Sequence, residues 1–521
     1  MIPTKMLLFD QRVLLSLVGE FRTSMRTLLA DVCEDFEHYP ALMRRLLLPV
    51  GLFRLLGGVL EREEYSNWKL VGWIETLNDL LYFVDLHQQL TTEHDPVEFA
   101  EELHAECQEK FYENSYIDEL FPDGMVDHRG LSGRLLHLCC RLSRDIVQQT
   151  ILFYPGLACD WTSTISARRW SVGCDLNPNF DRAELPWCLP VGLDGTCYHA
   201  PLHIRKALSS ANNKARIIVS PQGFALTALG RFYPVYACGS DERWYWKRHS
   251  PTVIRRSPLG TVTVGPTLEY GRQRIPRRVR PTSPAVAKRI QQALSILKEA
   301  WPEGDELLTV LTSRIIPLRA KGVVSFSYRH QPGLSFINCF DRDNLDLIDD
   351  LIHENGHHHL NLLLRKYVLY RDDRNQEIFY SPWRRSLRPL RGILHATFTF
   401  TMGAFLFERL STWGSRPAGY RGWTRSGLSM QNLRRARFRC CEELESVRYA
   451  LQDLHWANRR LGWIPQSGQD LIGQLSRILS AITRKIDQHA PSVHRSRYGA
   501  VLRRHQQELR MARRRYGSLR V

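Results

Sequence analysis

LIHENGHHHLNLLL, residues 351–364, holds His353, Glu354 and His357 in the HExxH spacing. In a helix, positions i and i+4 lie on one face, about 40° apart in projection. His353 and His357 therefore project together and can chelate one divalent ion. Glu354 is rotated by about 100° from His353, where a hydrolase would use it as general base on a metal-bound water. The surrounding text, DRDNLDLIDDLIHENGHHHLNLLLRKY, predicts one long helix with Asp341 or Asp343 as its cap and acidic residues in its first turns. Leu347, Ile348, Leu351 and Ile352 supply apolar faces. Gly356 inside such a helix costs about 1 kcal/mol, which predicts a close approach at that position. His358 and His359 fall outside the chelating pair and are expected beside the site or at the surface.

A metal site needs at least one more protein ligand. Downstream candidates are Asp372, Asp373, Glu377 and His395. Spacing alone leaves the choice between His395 and Glu377. His395 lies in an apolar run, GILHATFTFTMGAFLF (392–407), too short for the roughly 20 residues a bilayer requires and better read as a buried helix.

The 521 residues exceed one typical core and predict several domains. Residues 1–154 carry helical periodicity, as in WKLVGWIETLNDLLYFVDLHQQL. Residues 155–284 turn to Pro, Gly and Asn, with β-prone runs ARIIVS, FALTAL, FYPVYAC and GTVTVG and a Pro/Arg-rich linker candidate at 272–284. Residues 285–430 begin with a Ser-Pro helix start, pass a helix or strand at ELLTVLTSRIIPL and two strands at GVVSFSY and LSFINCF, and contain the HExxH helix. Residues 431–521 form a basic helical end. The expected class is α+β, predominantly helical, built around a zincin-like metal-binding helix.

The net charge is +17, which favours acidic partners. The C-terminal RRHQQELRMARRRYGSLR suggests nucleic acid, but aromatic residues are sparse there and no recognition motif is visible. The start, MIPTKMLLFDQRVLLSLVGEF, meets Asp10 and Arg12 before a long enough apolar region, so no secretory signal is expected. With no CxxC pair among twelve cysteines, a zinc ribbon is not indicated, and reduced thiols in the cytoplasm are expected.

The HExxH helix continuing into Leu360-Asn361, then Tyr380-Ser381-Pro382-Trp383-Arg384, then Arg388-Pro389-Leu390-Arg391-Gly392-Ile393-Leu394-His395, resembles the HExxH-containing peptide-modification proteins of ribosomal peptide natural-product pathways. Ser325-Phe326-Ser327 and Pro332-Gly333 are similar as well. The resemblance covers roughly residues 285–410. It implies an Fe(II)- and 2-oxoglutarate-dependent hydroxylase that uses O₂ on a peptide side chain, at the β-carbon. Carried over by position, His353, His357 and His395 would hold iron, and Glu354 would orient a ligand or substrate. The far carboxylate of the 2-oxo acid needs a cation, for which Arg388 is the first choice and Arg384 and Arg391 are further candidates. The partner implied is a precursor peptide, bound through an acidic leader. The alternative is a zinc metallopeptidase with Glu354 as base. It explains the helix and leaves the arginines around the third ligand without a role.

Overall fold

The protein is described here from a computed structural model covering residues 10–517, apart from 91–95, 112–114, 166–168, 176–187, 191–192, 211–213, 241, 271–275, 372–375, 426 and 488–489. It is α+β and predominantly helical. The chain divides into two compact units, residues 22–250 with 275–279, and residues 1–21 with 251–274 and 280–521.

This grouping differs from the four segments read from sequence. The N-terminal helices and the first strands form one unit. The strands Thr252–Ser257 and Gly260–Val264 belong with the HExxH helix, because Val264 pairs with Ile315 in a parallel ladder. Nor does a boundary fall at 430. Helix Met430–Trp456 packs along helix Leu390–Ser415, and Phe407, Leu410, Leu433, Ala436 and Cys440 share one apolar core. The linker candidate at 272–284 includes a strand, Pro276–Arg280.

In the unit of residues 22–250, helices Trp68–Leu90 and Leu131–Phe153 pack together. The Trp73 indole donates to the Ile146 carbonyl at 3.1 Å and to Thr150 Oγ1 at 3.0 Å. An antiparallel sheet follows, in the order Trp170–Asp175, Lys214–Ser220, Gly223–Ala228, Arg231–Ala237 and Arg243–Trp244. Three of the β-prone runs lie in it; GTVTVG is the strand Gly260–Val264 of the other unit. A smaller sheet joins Cys188–Pro190, Cys197–His199 and Lys247–His249.

In the other unit, Ser283 caps helix Pro284–Ala300 by accepting from the Val286 amide. The stretch ELLTVLTSRIIPL resolves into the end of helix Pro302–Leu311 and the fully buried strand start of Arg314–Arg319. Strand Leu334–Asn338 runs parallel to Arg314–Arg319, and the short strand Phe326–Ser327 closes that side antiparallel to it. Asp343 caps the HExxH helix, Asn344–Lys366, in a reciprocal box with Asp346. Arg435 grips both carboxylates, at 2.6 and 3.1 Å.

Helix Leu390–Ser415 is the one described helix long and apolar enough to cross a membrane by length and composition. Two-thirds of its most apolar window is buried within the protein, as expected of a core helix. It runs against the HExxH helix with Gly356 at the crossing. A Cβ there would stand 3.0 Å from Met402 Sδ and 3.3 Å from Thr399 Cγ2. Gly356→Val is therefore expected to destabilise the protein by about 1–3 kcal/mol through overpacking. Gly473→Ala, in helix Gln466–Ile486 with only the Arg477 guanidinium 3.9 Å away, should stabilise by about 0.5–1 kcal/mol. Thermal denaturation of the two variants reads both signs.

Candidate metal centre

The HExxH helix presents two polar rows. Asp350, Glu354 and His358, at i, i+4 and i+8, face the sheet, where three serines meet them. Ser325 Oγ donates to Asp350 at 2.7 Å, Ser327 Oγ donates to Glu354 at 2.8 Å, and Ser335 Oγ lies 3.1 Å from His358 Nε2. The Gly333 amide donates to His358 Nδ1 at 3.4 Å. Ser325 and Ser327 are two apart, and Ser327 and Ser335 are register partners, so the strands put all three hydroxyls on one face. His358 and His359 are buried, contrary to a surface placement. The ring of His359 stands edge-on to Phe398 at 5.3 Å. Asn355 is also buried and donates to Thr312 Oγ1 at 3.0 Å.

The second row is Asp349, His353 and His357. Both histidines are partly exposed, in contrast to their neighbours. The rings of His353 and His357 are 5.0 Å apart, and His395, from the facing helix, stands 5.8 Å from His357. Of the other ligand candidates, Glu377 is exposed and no described contact joins it to the histidines. Asp372 and Asp373 lie outside the described residues.

A metal–nitrogen bond of about 2.1 Å places an imidazole centroid roughly 3.2 Å from the ion, so two ligands at 90–110° have centroids about 4.5–5.2 Å apart. His353 and His357 meet that spacing. His395 is about half an ångström wide of it and needs a ring rotation to close. Among the described residues, no three His, Cys, Asp or Glu side chains converge on one point as they stand.

The electrostatics of the row are one-sided. Burial lowers the pKa of His353 well below its ordinary value, assisted by His357, Arg439 and Arg384. Burial and Arg384 bring His357 to about 4. Burial, His357, Arg329 and Arg391 bring His395 to about 3. All three imidazoles are thus neutral at physiological pH, the form that binds a metal. On the sheet side, burial raises Glu354 to about 8, against its hydrogen bond from Ser327 and with the help of Asp350.

Of the three arginines singled out in the sequence, Arg384 and Arg391 exert their charge on these rings. Arg388, the first choice, is an exposed residue of strand Ser386–Arg388, paired in register with Phe379, and its charge does not figure at any of the three histidines. Arg384 and Arg391 thus act electrostatically on the histidines, and Arg388 is not among the charges that do.

Sequence reasoning missed the floor of the site. Trp383 stacks on Phe400 at 4.4 Å with planes 8° apart, and Phe400 meets the His353 ring at 4.7 Å. The Trp383 indole donates to Glu443 at 2.9 Å, and Arg439 bridges Glu443 at 2.8 Å and Asp349 at 3.2 Å. The signal available was Asp349, four residues before His353 and so on its row.

No family of known proteins matches the chain, and no curated protein matches it in sequence.

Three carboxylates, Asp349, Glu442 and Glu443, share the Arg439 guanidinium, and burial raises Glu443 to about 7 and Asp349 to about 6, both against the pull of Arg439. A raised carboxyl contributes stability below its ordinary value near 4.5 that is lost as pH rises through about 7. Glu443→Gln, which retains an acceptor for Trp383, should flatten the decline in melting temperature between those limits. Arg439→Met removes the cation that Asp349, Glu442 and Glu443 share and should cost about 3 kcal/mol at pH 7.5. Melting curves across that pH range check both.

Proposed function

We propose that this protein is an Fe(II)- and 2-oxoglutarate-dependent oxygenase that hydroxylates a side chain of a ribosomally made peptide, with His353, His357 and His395 as the iron ligands. The observation that carries the reading is the approach of three imidazoles, with ring centroids 5.0 Å apart for His353 and His357 and 5.8 Å for His357 and His395, beside arginines whose charge is felt at the rings. Arg384, Arg439, Arg329 and Arg391 all act on them. A site so built favours an anionic co-ligand, and a 2-oxo acid with a distal carboxylate has the charge and length to use both the ion and a guanidinium.

Bound iron would supply the activation of O₂ and the oxidation of the C–H bond, coupled to decarboxylation of the 2-oxo acid. The protein's part is to hold and orient. The crossing at Gly356 sets the distance of His395 from the HExxH pair. Trp383 and Phe400 form a flat apolar wall behind His353 that limits ring rotation and water. Arg384, which is exposed, would take the distal carboxylate, with Arg391 and Arg388 nearby in sequence. Glu354, held by Ser327, orients from the side.

The peptide has a place to bind. Strand Phe326–Ser327 is paired on one side only among the described residues, and Val324, Tyr328 and Phe340 beside it are exposed. An extended peptide added to that edge would gain backbone hydrogen bonds and pass close to Glu354. On this reading the mixed sheet, with its antiparallel edge strand along the HExxH helix, would serve as a zincin-like core. The net positive charge suits an acidic leader, and the neutral role of the cysteines suits a cytoplasmic setting.

Zinc metallopeptidase is the second reading, favoured by the same edge strand and by Glu354 next to His353. Loading the full chain with Fe(II) and 2-oxoglutarate without oxygen separates the two. The visible charge-transfer band of a chelated 2-oxo acid is expected, with its loss in His395→Ala. Arg384→Met should weaken 2-oxoglutarate about 10- to 100-fold. Absence of the band, together with tight zinc binding and a peptide cleavage abolished by Glu354→Gln, would overturn the oxygenase in favour of the peptidase.

A further inference from the structure

The hairpin of strands Phe379–Ser381 and Ser386–Arg388 carries Trp383 and Arg384 in its turn, and it is gripped from two sides. Consecutive strand residues point to opposite faces. Phe379 joins the main core, edge-on to Trp456 at 6.1 Å and to Trp463 at 6.4 Å. Tyr380 and its register partner Leu387 belong instead to a separate apolar group with Tyr449, Leu509, Ala512 and Tyr516. The last three stand at i, i+3 and i+7 on helix Tyr498–Gly517, one face of that helix. The basic C-terminal helix thus has an apolar side that covers the hairpin.

The contacts are specific. Tyr516 stacks on Tyr380 with ring centroids 5.5 Å and planes 14° apart, and Tyr449 meets Tyr380 edge-on at 5.9 Å. Glu508 reaches Arg385 at 3.3 Å. Arg385 has a φ of 53°, a conformation that residues other than glycine rarely adopt. Its amide donates to the Ser381 carbonyl at 2.8 Å, and the Arg384 amide donates to Ser381 Oγ at 3.3 Å. The turn that presents Arg384 is therefore held by Ser381 on one side and Glu508 on the other. The exposed ion pair adds little alone, so the ring stack and apolar cover carry most of the grip. The helix is itself fixed on Met430–Trp456. His505 Nε2 lies 2.9 Å from Ser446 Oγ, and Arg513 pairs with Asp453 and donates to the Tyr449 carbonyl at 2.8 Å. The hairpin's own reach into the site is through Trp383, stacked on Phe400, and through Arg384, whose charge is felt at His353 and His357.

We propose that Tyr516 and Glu508 are positioning residues of the candidate metal centre, which hold the hairpin so that Arg384 can grip the distal carboxylate of the 2-oxo acid. The inference rests on the oxygenase reading of that site. No described contact joins Tyr516 or Glu508 to the three histidines, and both act through the hairpin. A guanidinium fork binds a carboxylate only in a fixed geometry, and a hairpin free to rock loses it. The imidazoles stand on two other helices and keep their places when the hairpin moves. Loosening the clamp therefore weakens the 2-oxo acid and spares the metal.

The test uses the full chain loaded with Fe(II) and titrated with 2-oxoglutarate without oxygen, followed by the charge-transfer band. Tyr516→Ala should weaken 2-oxoglutarate about tenfold and leave the Fe(II) affinity unchanged. Tyr516→Phe keeps the stacked ring and should bind as the wild type does. Glu508→Lys sets two cations against each other, leaves the apolar group whole, and should weaken 2-oxoglutarate about threefold. In an Arg384→Met background Tyr516→Ala should have no further effect, because both changes act through one guanidinium. Hydrogen exchange across residues 379–388 reads the clamp without iron, and it should speed about tenfold in Tyr516→Ala and stay unchanged in Tyr516→Phe. Absence of the band in the wild type overturns the oxygenase reading, and hydrogen exchange then decides by itself whether Tyr516 holds the hairpin. With the band present, an unchanged 2-oxoglutarate affinity in Tyr516→Ala, or an equal loss with and without Arg384, overturns the proposal. Unchanged exchange in Tyr516→Ala overturns it in either case.

Discussion

The close crossing of two helices at Gly356 is the constraint on which the candidate metal centre depends. With no side chain there, Met402 and Thr399 approach the HExxH helix closely. That approach sets His395 opposite His357 and Phe400 opposite His353. A metal site assembled from two helices tolerates little change in their separation, since ligand distances vary by only about 0.2 Å. The packing of an apolar helix and the geometry of a polar site are here one property. The helix interior also forgoes about 1 kcal/mol of propensity for it.

A second feature is the segregation of the HExxH helix into rows with separate tasks. The row facing the sheet is saturated with hydroxyl partners from Ser325, Ser327 and Ser335 and is shut from solvent at Glu354 and His358. The row facing the groove keeps its imidazoles partly accessible and backs them with Asp349, Arg439 and Glu443. A buried charge network of this kind is costly to break and fixes geometry more than it adds stability. Here it fixes Trp383, and through Phe400 the ring of His353.

Much of the HExxH helix was legible from local text. Its length, the close approach at Gly356 and a cap narrowed to Asp341 or Asp343 follow from short-range rules, and the structure selects Asp343. The alternation of the strands and the Ser-Pro start at 283 were equally readable. The burial of His358 and His359 was not, because it depends on which strand lies across from them. The grouping of residues 252–264 with the HExxH helix was hidden for a similar reason, being fixed by a parallel ladder to a strand some fifty residues on. That Arg384 lies in the turn of the hairpin at 379–388 and Arg388 in its second strand comes from strand pairing, which the spacing of the arginines does not reveal. The histidine row was read from spacing, and the floor beneath it needed helix Met430–Trp456, which no local pattern connects to it.

The core that surrounds the HExxH helix draws on both ends of the described chain. Leu14, Leu17 and Val18 belong to it, with Val13 and Phe21 packed against it, and among the described residues its other members follow residue 250. A ribosome makes the chain from the N-terminus, so the intervening unit has all of its residues, through 279, before this core has its central helices. The most apolar helix, Leu390–Ser415, emerges later still and gains its cover from Met430–Trp456 only after a further forty residues. During that interval the earlier helices Pro284–Ala300 and Asn344–Lys366 are already made and can cover part of it, while the face toward Met430–Trp456 lacks its partner. The face of helix Leu390–Ser415 that Met430–Trp456 covers is therefore among the last parts of this core to be closed in order of synthesis.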